Sequence, residues 1–227
     1  MTPTKIIPLD GPLHHVQGID LEGERLWVSS VDKDRKTGHL FVIALPGGKI
    51  QQQTEVQDGA RYHPGGLALD GEELWLPVAE YRRASTTQVQ RRDKRTLRLV
   101  QAFQVADHIG CIAAAPNKLY GGNWDSLDIY EWSKQGVAEN KRTNTTGTRY
   151  QDMKFAGNRL IASGPRSKTQ GAVDFLDPQS LDLRRRIELA TTDRGVVFTN
   201  EGMTIKGNTL YLLPEDDPSR LFVFTLR

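Results

Sequence analysis

The stretch Gly65-Gly66-Leu67-Ala68-Leu69-Asp70-Gly71-Glu72-Glu73-Leu74-Trp75 decides the architecture. Two small residues open an apolar run, Asp-Gly reverses the chain, and a second apolar run returns through a tryptophan, which is the grammar of a β-hairpin. The same order recurs four times: Gln17-Gly18-Ile19 to Leu26-Trp27, Gly110-Cys111-Ile112 to Leu119-Tyr120, Gln151-Asp152-Met153 to Leu160-Ile161, and Glu201-Gly202-Met203 to Leu210-Tyr211. Nine residues separate the small-residue landmark from the large apolar one in every copy, while the landmarks themselves stand at 18, 66, 111, 152 and 202. A fixed hairpin with a variable period of 41 to 50 residues is a repeat joined by variable outer loops.

Each copy reads as four strands. In the first copy the hairpin is followed by His39 to Ile43 and by Lys49 to Val56, with Pro46-Gly47-Gly48 as the turn; the second gives Thr87 to Gln90 and then Leu97 to Val105. Blades of four short strands at this period predict an all-β, five-bladed β-propeller in one domain spanning 1–227, its hairpins starting near 15, 63, 108, 149 and 199. The last copy ends after its third strand, Leu221 to Phe224, whereas the chain opens with a lone strand-like segment, Lys5 to Leu9. Placing that segment outside the last blade closes the ring and hides the edges that an open array would expose. A sixth copy is not found.

Composition sets the outer bounds. The 227 residues are 37% hydrophobic and 26% charged with a mean hydropathy of −0.51, a globular balance. No apolar run is long enough for a membrane span. Thirty basic against 28 acidic residues removes a global electrostatic case for nucleic acid. The basic runs Arg91-Arg92 and Arg184-Arg185-Arg186 fall near outer strands, where charge discourages edge pairing. The lone Cys111 excludes an intrachain disulfide, and its place in the small-residue column makes it a core thiol. Trp27, Trp75, Tyr120 and Tyr211 form a column suited to packing between blades. Met1-Thr2-Pro3-Thr4 carries neither an apolar signal core nor a basic leader, so the sequence as it stands is expected in the cytoplasm, although a cleaved export signal would leave no trace. A ring with closed edges is expected to be monomeric and to take a small-molecule ligand.

Innermost strands line the channel of a propeller, so the positions that begin them converge at one mouth. Three residues before each landmark stand His15, His63, His108, Arg149 and Thr199; one before it stand Gln17, Gly65, Gly110, Gln151 and Glu201. The two columns share a parity and leave the strand on one side. A third column, Asp32, Glu80, Asp125, Arg166 and Asp216, marks the ends of the second strands at the same mouth. Three of the five histidines thus occupy one register in consecutive blades. They either tie neighbouring blades through hydrogen bonds or, with Glu201, hold a divalent cation such as Zn, Mn or Ca. Under the second reading His15, His63, His108 and Glu201 are metal ligands, and Glu201, Asp152 and His108 are the catalytic candidates. Gln17, Gln151, Asn123, Trp124 and Arg82 are candidates for holding substrate: Asn123-Trp124-Asp125 offers a flat ring beside polar groups, or a packed turn, and the segment through Arg82 offers guanidinium groups to an anion or to solvent. Glu215 and Asp216, in the last mouth loop, are candidate supports for these ligands. Phosphate-loop, dinucleotide, HExxH and nucleophile-elbow patterns are missing from the sequence.

His14-His15-Val16-Gln17-Gly18, His63-Pro64-Gly65-Gly66, Asp107-His108-Ile109-Gly110 and Asn200-Glu201-Gly202-Met203 resemble an uncharacterised family of small bacterial and fungal propellers, over nearly the whole chain. More distantly, Glu201-Gly202 and the following Leu210-Tyr211-Leu212-Leu213 resemble the gluconolactonase and regucalcin propellers and the phytase-like esterase propellers. In the gluconolactonase group a Glu-Gly-Pro element supplies a channel metal ligand, which maps to Glu201; here Met203 stands in place of the proline. That resemblance implies a metal-assisted hydrolase of the lactonase or esterase type. The alternatives are a non-catalytic propeller binding a small ligand or peptide, and a metal-dependent lyase acting on acidic sugars.

Overall fold

The computed structural model describes residues 1–45 and 47–226. Strand β1 (Lys5–Pro8) comes first and waits for the end of the chain. The first blade is β2 (His15–Glu22), β3 (Arg25–Asp32), β4 (Thr37–Ala44) and β5 (Lys49–Glu55); of its predicted Pro46-Gly47-Gly48 turn, Pro46 lies outside the described residues. In the second blade the innermost strand is split into β6 (Arg61–Pro64) and β7 (Ala68–Asp70), both pairing with β8 (Glu73–Glu80), followed by β9 (Thr87–Asp93) and β10 (Leu99–Val105). The third blade is β11 (Ile109–Ala114), β12 (Lys118–Asn123), β13 (Asp128–Ser133) and β14 (Ala138–Thr143); the fourth is β15 (Asp152–Ala156), β16 (Arg159–Pro165), β17 (Gly171–Leu176) and β18 (Leu183–Leu189). The fifth is β19 (Glu201–Lys206), β20 (Thr209–Pro214) and β21 (Arg220–Thr225), completed from outside by β1, with Lys5 opposite Val223 and Pro8 opposite Arg220. The predicted propeller and its closure are therefore present. The single helical segment among the described residues is a 3₁₀ turn at Trp124–Ser126, and none is long and apolar enough to cross a membrane.

Five apolar clusters hold the ring, one at each junction between blades. Trp27 joins Leu67, Leu74 and Leu76 between the first and second blades; Trp75 joins Ile112 and Trp132 between the second and third. Tyr120 meets Tyr150 and Met153, Ile161 meets Phe198 and Met203, and Tyr211 packs against Ile19 and Leu21 to close the circle. The repeated large apolar position thus spans to the next blade each time. Each full burial of such a side chain contributes about 1.5–3 kcal/mol. Arg92, expected at a charged edge, is instead buried on β9, donating to Gln90 Oε1 and the Leu97 carbonyl at 2.7 Å each.

The small-residue landmarks explain the centre, and they correct the expectation of an open channel. An added Cβ on Gly18 would stand 2.3 Å from the Cα of Gly66, and one on Gly66 would stand 2.5 Å from Asp152 Oδ1 and 2.9 Å from the Cβ of Cys111. The inner strands meet on the axis. Asp152 is the exception in a column of small residues, and its carboxylate is the knot: Oδ2 accepts the N–H of Ile19 and of Met203 at 3.0 Å, while Oδ1 accepts the N–H of Met153 at 2.8 Å and Lys154 Nζ at 2.5 Å. Lys154 Nζ also donates to the Leu67 carbonyl at 2.8 Å. Groups from the first, second, fourth and fifth blades therefore share one buried ion pair, and Gly66 binds the third through Gly110 O and Ile112 N.

Candidate functional site

Above this plug lies a cavity of about 200 Å³, lined by His15, His63, His108, Gln17, Gln151 and Glu201 together with Tyr81, Asn123, Trp124, Asp125 and Tyr150. Two departures from regular pairing turn the inner strands toward it. Bulges fall between Val16 and Gly18 on β2 and between Ile109 and Cys111 on β11, at the positions occupied by Gln17 and Gly110. Glu201 begins β19 with φ 115°, outside the comfortable range for a residue with a Cβ, a strain that tends to collect at functional sites.

Two walls face each other. On one, His63 and His108 stand with ring centroids 5.3 Å apart; Tyr81 meets His63 edge-on at 4.3 Å, and Trp124 meets His108 edge-on at 4.5 Å. His108 Nδ1 lies 3.0 Å from the Arg82 carbonyl and 3.1 Å from Ser85 Oγ. A carbonyl only accepts, so Nδ1 carries the proton. Burial draws His108 down to about 4. His63 has no such support: its Nδ1 is buried without a hydrogen-bond partner among the described residues. Burial first, then the neighbouring His108 and His15, holds it well below the ordinary histidine range. Both rings are neutral at pH 7.

On the other wall, one ligand atom each from His15, Glu201 and Glu215 lies within 4.8 Å of the other two. His15 Nδ1 approaches Glu215 Oε1 to 2.6 Å, and this contact draws the Glu215 carboxyl below its usual range. Glu201 is 7% exposed, and its carboxyl makes no hydrogen bond with any described residue. Burial, reinforced by Glu215, pushes it well above the ordinary carboxylate range. An imidazole and two carboxylates at this spacing fit a divalent ion of the Zn or Mn type, and the nitrogen donor fits Ca less well.

The sequence-derived candidates thus divide. His15 and Glu201 come together, with Glu215 as their third member; His63 and His108 lie on the facing wall, outside that donor group. Gln17, Gln151, Asn123 and Trp124 line the cavity. Gln17 Nε2 donates to the Val16 carbonyl at 3.0 Å, and Asn123 is tied to Asp107 Oδ2 at 3.1 Å and to the Asp128 N–H at 2.9 Å, so both are already oriented. Asp152 does not reach the cavity, because its oxygens are consumed in the plug; burial lifts it to about 6 against the pull of Lys154. Arg82 is turned outward, 67% exposed and paired with Glu80 at 2.7 Å. The third column does not converge either, except at Asp125. Asp32 accepts from the N–H of Asp34 and Arg35, Glu80 from that of Thr86, and Asp216 binds Arg220, so each of these carboxylates closes its own loop. Tyr81 and Tyr150 were not singled out by the sequence; Tyr81 stands one residue past the third column, a signal too slight to read.

The comparison with curated proteins finds no match. By structure, the chain is similar to the glutaminyl cyclase of Myxococcus xanthus at a TM-score of 0.72 and 13% identity, covering 99% of this chain and 97% of that one. It is also similar to a chain of the nidogen/laminin complex (TM-score 0.58, 16% identity, 95% and 77% covered) and to the Pan2 WD40 domain of Neurospora crassa (TM-score 0.52, 10% identity, 93% and 61% covered). At these identities the likeness is one of fold. The sequence over residues 4–158 matches the model of a family of unknown function, DUF6454, and the chain belongs to that family.

Proposed function

We propose that the mouth cavity is the active site of a hydrolase of the lactonase or esterase type that works with a divalent cation held by His15, Glu201 and Glu215. The observation that carries this reading is Glu201: a buried carboxyl on a strained backbone, without a hydrogen bond, within 4.8 Å of an imidazole and a second carboxylate. A carboxyl kept in that state is costly unless something else completes it. A bound cation would polarise an ester carbonyl and acidify a water. Glu201 gives up its proton to serve as ligand, and Glu215 orients His15 through its ring nitrogen. His63, a neutral ring lining the cavity, accepts the proton of the attacking water and returns it to the leaving alkoxide. His108 stays fixed by the Arg82 carbonyl. Trp124 and Tyr81 supply apolar walls.

The resemblance of the Glu201-Gly202 element to the gluconolactonase propellers supports the assignment of Glu201, and an enzyme, glutaminyl cyclase, shares the fold. The cavity of about 200 Å³ is smaller than the roughly 300–1,000 Å³ of drug-sized sites, so the substrate is a small lactone or ester, or the end of a larger molecule. The test is hydrolysis of a panel of lactones and esters with added Zn²⁺ or Mn²⁺. Glu201→Gln and His63→Asn are each expected to lower turnover by about 100-fold or more. A protein that hydrolyses such substrates equally well with EDTA, or with Gln at position 201, contradicts the reading; metal binding without hydrolysis of any member favours a binding module.

A further inference from the structure

Away from the mouth, a second donor group stands on the flank of the first blade. His14 precedes β2, Asp32 ends β3, and His39 lies within β4; one ligand atom of each is within 4.8 Å of the other two. The imidazoles of His14 and His39 are stacked, with centroids 5.1 Å apart and planes 18° from parallel. His14 Nδ1 is 3.6 Å from Asp32 Oδ2, too long for a hydrogen bond. The other carboxylate oxygen, Oδ1, accepts the N–H of Asp34 at 3.1 Å and of Arg35 at 3.0 Å. Two backbone donors therefore hold the carboxylate by one oxygen and turn the other toward the rings. Neither imidazole donates or accepts a hydrogen bond among the described residues, and His14 is held at φ 55°, a left-handed conformation that is strained in a residue with a Cβ. His14 is exposed while Asp32 and His39 are half-buried, and none of the three lines the mouth cavity.

The geometry points to a second metal site here, a two-histidine, one-carboxylate set for a divalent transition ion of the Zn²⁺ class, with its remaining positions open to water. Imidazole pairs with one carboxylate select such ions over Ca²⁺ or Mg²⁺, which take oxygen donors. His14 stands in its left-handed conformation immediately before β2, and its ring goes to the flank while that of His15 lines the mouth. A metal on the flank pins the start of β2, the end of β3 and the start of β4 together, and so fixes the backbone that carries His15.

Zn²⁺ titration of the full chain against a chromophoric chelator tests the assignment, using Glu201→Gln to remove the mouth group. In that background one equivalent is expected to bind with a dissociation constant below about 10 µM. Adding His39→Gln or His14→Gln is expected to weaken it by at least about tenfold, with melting by circular dichroism confirming that each variant is folded. Absence of binding in the Glu201→Gln protein, or binding that both histidine substitutions leave unchanged, overturns the flank site. Binding that is sensitive to His39→Gln but equal in the parent and in Glu201→Gln sinks the mouth cation while the flank site stands.

Discussion

Asp152 and Glu201 are both buried carboxylic acids at the starts of inner strands, in neighbouring blades, and they have opposite surroundings. Asp152 accepts three backbone N–H groups and an ammonium, from strands of three blades. Glu201, also buried, accepts none from the described residues and has a second carboxylate beside it. The contrast separates architecture from chemistry. A buried carboxyl whose lone pairs are filled is a joint; one whose lone pairs are left open is, under the proposed function, the place for a cation.

The largest test of this contrast is Asp152→Ala. It strips four donors of their acceptor and leaves the Lys154 ammonium buried, so chemical denaturation is expected to show a loss of about 3–5 kcal/mol or failure to fold. A loss under about 1 kcal/mol would mean that the axial knot is not what holds the blades. Next comes Gly66→Ala, which drives a methyl to 2.5 Å from Asp152 Oδ1 and 2.9 Å from Cys111. Overpacking of this kind costs about 1–3 kcal/mol, and because the clash is in the plug, mouth chemistry should survive in the folded fraction. Glu201→Gln keeps the shape and removes a costly ionisable group; its unfolding free energy in chelated protein should equal that of the parent or exceed it by up to about 2 kcal/mol. A destabilised Gln variant would show Glu201 to be another joint. The smallest effect concerns Cys111, whose thiol burial pushes up to about 12. Native protein at pH 8 should not react with a disulfide reagent over hours, whereas denatured protein should react at once.

The ring was legible because repeats are rigid in sequence as well as in space: nine residues between landmarks fix the hairpin, and β1 had no other partner to complete a blade. Convergence of the inner columns on one mouth was also readable from strand parity. Less was visible about what each polar group does there. Asp152 read as a possible base because the sequence gives no sign that three strands would aim N–H groups at it. Its real signal was being the one charged residue among Gly18, Gly66, Cys111 and Gly202, with Lys154 two positions on the same strand face. Glu215 was relegated to a supporting place because Asp216, its neighbour, held the repeat register; the loop, free of strand parity, delivers Glu215 instead. The flank histidine His14 was concealed by His15 next to it: it lies before the strand in a left-handed conformation, where strand parity does not say which way a ring points.

The central claim is that the mouth group is completed by a cation, and counting bound metal tests it most directly. Protein purified without chelators or affinity-tag nickel, equilibrated with Zn²⁺ and desalted, would be analysed for metal as the parent and as Glu201→Gln. One fewer ion per chain is expected in the variant, with the flank site contributing equally to both. Equal metal content in the two proteins would contradict it.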